Sequence, residues 1–315
     1  MKILITGSAG FIGYHLCKSL LESGHHILGI DNLNDYYDVS LKKDRLKELE
    51  NKNFKFEKVD ISDRQELQRI FKSFDPQKVV NLAAQAGVRY SLINPYAYLD
   101  SNLAGFLNVI EMCRHHNVEG LIYASSSSVY GANKKIPFSV EDRTDHPLAL
   151  YGATKKANEL IAHSYSHLYG IHTTGLRYFT VYGPWGRPDM AMFIFAKNII
   201  ANKPIPVFNN GNMKRDFTFI DDIIHGTKRA IEKNFKCEIF NLGNNKSEKL
   251  LDMISIMENS LSTKAILDFQ PIQPGDVKDG CADIDHSISK LGYEPKTSIS
   301  EGIPKFLEWY RSHYV

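Results

Sequence analysis

A short apolar run, KILIT at 2–6, leads directly into TGSAGFIG, which sets Gly7, Gly10 and Gly13 at three-residue spacing ahead of a helical pattern beginning near Phe11. Glycines between a strand and the first turn of a helix allow a tight turn and bring bare backbone amides to a helix N-terminus, where a pyrophosphate is held favourably. The spacing is GxxGxxG rather than the GxGxxG of the dehydrogenase fingerprint. A chain that opens this way has few folds open to it, because the strand and helix must lie in one βαβ unit.

The rest of the first half agrees. HILGI, FKFEKV, KVVNL, GLIYAS and HTTGLRY recur as buried-strand patterns between helix-length segments starting near Ser40, Arg64, Pro95 and Tyr151. This order predicts an α/β fold, a Rossmann-type doubly wound parallel sheet. After Arg177 come loops rich in Gly, Pro and Asn (GPWGRPDM, NKPIP, NNGNMKRD), interrupted by helical patterns at about 190–201, 221–233 and 247–259. A smaller C-terminal α/β domain that binds substrate is therefore expected at 181–315, following a dinucleotide-binding domain at 1–180 to which a strand near 238–243 returns.

Composition narrows the function classes. With 38 basic against 36 acidic residues the net charge is +2, which gives no global field for nucleic acid or a membrane surface. Cys17, Cys113, Cys237 and Cys281 stand far apart without metal-ligand spacing, so neither a disulfide framework nor a metal site is expected, and a reducing cytoplasm fits. No apolar run reaches membrane-spanning length.

Asp31 lies at the end of the second strand, about twenty residues past the glycines, where an acid accepts hydrogen bonds from the adenosine ribose and disfavours the extra phosphate of NADP. NAD is therefore the expected cofactor. Asp60, Ile61 and the LAAQAG stretch at 82–87 fall at other strand C-termini, the edge at which open α/β sheets bind ligands. Asn102, on the helix after Pro95, is a further candidate. Tyr151 and Lys155 in LYGATKKANEL stand four apart and share a helix face. A tyrosine titrates near ~10, and an adjacent ammonium is expected to lower that value, making Tyr151 a general base.

With the serine run YASSSSVYG at 123–131 ending the fifth strand before that helix, the chain resembles the extended short-chain dehydrogenases/reductases, the nucleotide-sugar epimerases and dehydratases. DNLNDYYDVSLKKDRL at 31–46, AAQAGVRYS at 83–91, RYFTVYGPWGRPDMAMF at 177–193 and VFNNGNMKRDFTFIDDI at 207–223 resemble one subgroup, the UDP-glucuronate 4-epimerases. The resemblance implies a catalytic set of Tyr151, Lys155 and Ser126, and transient oxidation at sugar carbon 4 by tightly held NAD. The cofactor site it implies comprises Gly7, Gly10, Phe11, Ile12, Gly13, Asp31, Asn32, Asp60, Ile61, Leu82, Ala83, Ala84, Gln85, Asn102, Tyr151, Lys155 and Tyr178.

Dehydratases of the family carry an Asp-Glu pair after the catalytic hydroxyl, and uronate decarboxylases a Glu; here Ser127 and Ser128 stand there. Neutral hydroxyls suit a sugar that already bears a carboxylate, since a second buried anion beside it is costly. Ser127, Ser128 and Thr180 are accordingly expected to hold a uronate, with charge from Arg187 and Arg89. Arg215 matches the family's phosphate-binding arginine, Phe208 is placed for uracil and Asp276 for a ribose hydroxyl. The resemblance also implies a homodimer packed through the helix after the fourth strand and the one carrying Tyr151. The competing readings are a 4-epimerase of a neutral UDP-hexose or UDP-N-acetylhexosamine, and a non-catalytic NAD-sensing protein.

Overall fold

In the computed structural model, which describes residues 1–273 and 275–315, seven parallel strands form one central sheet. The first half alternates β1 (Lys2–Thr6), α1 (Phe11–Glu22), β2 (His26–Asp31), α2 (Val39–Lys47), β3 (Phe54–Lys58), α3 (Arg64–Phe74) and β4 (Lys78–Asn81). Two single turns, α4 (Tyr90–Ile93) and α5 (Pro95–Tyr98), precede α6 (Phe106–His115), β5 (Gly120–Ser126), α7 (Leu150–Tyr169) and β6 (Thr173–Tyr178). The order across the sheet is β3-β2-β1-β4-β5-β6, extended at its end by β11 (Cys237–Leu242). Order reverses between β1 and β4, and a crevice opens at such a switch point above the strand C-termini.

The inner strands are buried on both faces, as a parallel sheet covered by helices requires, whereas β3, read as a buried strand, is half-exposed because it lies at the sheet edge. Ile3 and Ile5 of β1 pack with Tyr14, Leu16 and Leu20 of α1, while Leu4 packs on the other side with Ile70, Phe71, Phe106 and Val109. Helix ends follow local chemistry. The Asp63 carboxylate accepts from the amides of Gln65 and Glu66 to open α3, and Gly170, at φ 71°, closes α7 in the left-handed conformation.

The second half adds β7 (Thr180–Tyr182), α8 (Ala191–Ile200), β8 (Pro204–Phe208), β9 (Lys214–Arg215), β10 (Phe217–Phe219), α9 (Ile220–Lys233), β12 (Glu248–Lys249), α10 (Leu250–Leu261), β13 (Ile266–Gln270), α11 (Asp285–Leu291) and α12 (Ile299–Tyr314). Its strands pair in three small sheets, β10-β7, β12-β9 and β13-β8. Helix α10 starts at Leu250, not near 247, because Glu248 and Lys249 are used in antiparallel pairing with Arg215 and Lys214.

The helical pattern read from Pro95 onward is interrupted by a π-helical stretch at Leu99–Gly105. Two contacts account for it. The Asn102 side chain is drawn inward to the backbone of Gln85, and Gly105 lies so close to Ile61 that an added Cβ would stand 2.6 Å from its side chain. Such insertions in a helix often accompany functional sites. Among the described residues no helix is long and apolar enough to cross a membrane.

Candidate active site

A cavity of about 800 Å³ runs along the strand C-termini from the glycine turn to the small sheets of the second half. At one end the turn after β1 is packed too tightly for side chains. A Cβ on Gly13 would lie 2.1 Å from the Gly7 carbonyl oxygen, and one on Gly7, at φ 72°, would lie 2.7 Å from the Ala83 nitrogen. Helix α1 opens at Gly10 without a side-chain cap, so its first amides face the cavity as an anion site. The turn is tied down by the Gly7 amide donating to the Ile30 carbonyl at 2.8 Å. Beside it the buried Asp31 carboxylate accepts from the amides of Leu33 at 2.8 Å and Ala9 at 3.2 Å. Burial raises its pKa, opposed first by the Lys42 ammonium. Bare backbone at a helix N-terminus plus an acid at the end of β2 is the donor and acceptor set that NAD requires.

Asp60 accepts from Asn32 Nδ2 at 2.8 Å and, with Ile61, Leu82, Ala83, Ala84 and Gln85, lines the same wall. Asn102 does not line the cavity. Its Oδ1 accepts from the Gln85 amide at 2.8 Å and its Nδ2 donates to the Gln85 carbonyl and to Thr154 Oγ1, each at 3.0 Å. It braces the 82–87 turn from behind.

Midway along the cavity Tyr151 and Lys155 of α7 meet the serine run. Ser126 Oγ accepts from the Ser128 amide at 3.1 Å, which turns the chain into a short 3₁₀ segment at Ser127–Tyr130. That segment abuts the first turn of α7, where a Cβ on Gly152 would fall 2.5 Å from the Ser128 carbonyl oxygen. Burial raises the Tyr151 pKa, opposed by a hydrogen bond with Ser126 and by the positive charge of Arg187. The expected lowering by Lys155 does not occur. Its ammonium is turned to the Ala124 carbonyl at 2.9 Å, and burial pulls its own pKa down to about 8. Sharing a helix face sets where two side chains start; β5 decides where this one ends.

At the far end Thr180, Arg187, Phe208, Arg215 and Asp276 line the cavity with Met190 and Ala191, where α8 opens without a side-chain cap. Arg187 is clamped by Asp189 (Nε to Oδ1, 3.0 Å), which also accepts from the Tyr36 hydroxyl at 3.1 Å. Arg89 is engaged away from the serine run: its guanidinium lies 4.6 Å from the Phe208 ring centroid and 3.2 Å from the Asp276 carboxylate.

The model of the NAD dependent epimerase/dehydratase family matches residues 3–243. The chain belongs to that family. It is 50% identical to protein CapI of Staphylococcus aureus, covering 100% of this chain and 99% of that protein, and 42% identical to a probable UDP-glucuronate 4-epimerase of Rhizobium meliloti, covering 100% and 98%. The crystal structure of UDP-glucuronic acid 4-epimerase from Bacillus cereus with UDP-glucuronic acid and NAD superposes with a TM-score of 0.95 at 38% identity, over 100% of both chains.

For this member of the epimerase/dehydratase family, sequence reading missed several cavity residues. Lys42 is buried and donates to the Asn34 carbonyl at 2.8 Å, and Tyr36, Tyr90 and Asp189 complete the wall facing Arg187. A lysine within LKKDRL carries no local sign of burial; only the fold of 31–42 over the cavity gives it a role. The Tyr178 hydroxyl, by contrast, is turned from the cavity to Thr227 Oγ1 at 3.0 Å.

Proposed function

We propose that this protein interconverts UDP-glucuronate and UDP-galacturonate, acting as an NAD-dependent 4-epimerase. The observation that carries the reading is the set of neutral hydroxyls, Ser127, Ser128 and Thr180, lining one cavity with Tyr151, with the Arg187 guanidinium close enough to act on the phenol. An anionic sugar is accepted there without a second carboxylate beside the reacting carbon.

NAD, when bound, supplies the oxidising and then reducing equivalent for sugar carbon 4. The chain supplies the rest. Tyr151 takes the proton of the 4-hydroxyl and later returns it; Ser126, in the same cavity wall, steadies the reacting oxygen. Arg187 favours the phenolate by charge, and Lys155 holds the nicotinamide ribose. Ser127, Ser128 and Thr180, with the charge of Arg187, fix the uronate out of the alignment in which a 4-keto acid loses carbon dioxide. Arg215, the uncapped start of α8, Phe208 and Asp276 hold the UDP, with Arg89 joining the uracil end.

The two-part division near residue 180 then separates cofactor from substrate duties. The protein works as a cytoplasmic homodimer supplying galacturonate for polysaccharide. Support for a dimer comes from apolar side chains left outside on the expected helices, including Tyr96 at 73% exposure, Leu99 and Leu107, with Leu160 and Leu168 of α7. Mixing the purified protein with UDP-glucuronate and following the sugar by NMR tests the function. UDP-galacturonate is expected; no conversion, or conversion to a UDP-pentose, refutes it.

A further inference from the structure

Arg45 of α2 is fully buried, and no carboxylate pairs with it among the described residues. A buried cation is costly unless its donors are satisfied, and here four oxygens converge on its two terminal nitrogens, while Nε has no partner among the described residues. Its Nη1 donates to the Ala9 carbonyl at 2.9 Å and to Tyr37 Oη at 2.8 Å; its Nη2 donates to the carbonyls of Trp185 at 2.7 Å and Gly186 at 3.1 Å. One guanidinium thus bridges the glycine turn of the cofactor end to the loop that carries Arg187.

A second contact extends the bridge. His15 Nε2 lies 2.9 Å from the Pro184 carbonyl, and burial holds its pKa down to about 4, so the ring is neutral and donates at neutral pH. Three successive carbonyls, those of Pro184, Trp185 and Gly186, are therefore gripped by α1 and α2. The grip has something to hold. Trp185 has φ 60°, a left-handed conformation that a bulky side chain avoids, and its ring is wedged between Tyr14 at 5.4 Å, Trp309 at 5.3 Å and His313 at 4.8 Å. Immediately beyond, Arg187 is held by Asp189 within electrostatic reach of Tyr151.

We infer that Arg45 is a positioning residue that fastens the Arg187 loop to the dinucleotide turn, so that the cofactor end of the cavity organises the sugar end. A lysine cannot replace it, because a point charge on a flexible stem does not span carbonyls of two separate loops as a planar fork does. The inference rests on the reading of Arg187 as a contact of the uronate.

The test compares native protein with R45K, both loaded with NAD, for binding of UDP-glucuronate and of UDP alone. R45K is expected to bind UDP-glucuronate at least about tenfold more weakly while holding UDP within about twofold. Equal loss for both ligands, or no loss for either, overturns the inference. A second measurement needs no variant: amide hydrogen exchange over Trp185–Asp189 in the native protein, with and without NAD and with no UDP ligand present. NAD is expected to slow exchange there severalfold, and unchanged exchange overturns the coupling. A native protein that binds UDP-glucuronate no better than UDP counts against the proposed function, and the exchange measurement alone then decides the coupling.

Discussion

Replacing Lys155 by Met separates what this residue costs the fold from what it contributes to chemistry. The ammonium is buried, its one partner among the described residues is the Ala124 carbonyl, and its pKa falls from an ordinary 10.5 to about 8. A lysine whose folded value is depressed destabilises the native state fully below that folded value, and the penalty fades as pH rises from about 8 toward 10.5. At pH 7 the gap corresponds to about 3 kcal/mol. Methionine removes this penalty but leaves the Ala124 carbonyl without its donor, a loss of about 2 kcal/mol. The variant is therefore expected to be about 1 kcal/mol more stable than native at pH 7. Between pH 7 and about 9.5 the native protein recovers about 2 kcal/mol relative to the variant, so the order reverses. Paired urea denaturation of both proteins, free of NAD, at the two pH values measures the difference, in which all shared titrations cancel. Epimerisation by the variant is expected to fall by at least about a hundredfold. A stability difference that does not move with pH, or that moves in favour of the variant as pH rises, refutes the reasoning.

Tyr151→Phe is expected to lower kcat by about a thousandfold while leaving UDP-glucuronate affinity near native, read by NMR turnover and by titration calorimetry. Thr180→Val removes a hydroxyl next to the proposed carboxylate and is expected to raise KM for UDP-glucuronate about tenfold, with UDP binding unchanged. Glu159→Gln breaks a buried pair in which Arg177 meets both carboxylate oxygens, at 2.8 and 2.9 Å, and Ser125 donates to one of them at 2.6 Å. A destabilisation of about 3 kcal/mol is expected in urea denaturation, and the neighbouring Ser126 makes turnover fall with it.

Much of the fold was legible because its signals are local. The glycine turn, the acid ending β2 and the alternation of apolar runs with helical patterns each act within one βαβ unit, where handedness and burial on both faces leave little freedom. The return of β11 to the sheet was visible as an apolar run, FNLGN, out of place among loops. Other features follow from contacts between distant segments. The π-helical break at Leu99–Gly105 depends on Gln85 and Ile61, which sequence spacing does not connect to it.

The site divides along the same line. Residue identity fixed the chemical inventory: a phenol, an amine, four hydroxyls and a run of glycines, each readable from its place in a motif. The tertiary structure decided the direction of each group. It turned Lys155 to the Ala124 carbonyl, drew Asn102 and the Tyr178 hydroxyl out of the cavity, sent Arg89 to Phe208 and brought Arg187 within electrostatic reach of Tyr151. Helical periodicity determines only where a side chain leaves the backbone, whereas burial and the nearest unsatisfied oxygen determine where its charged end comes to rest.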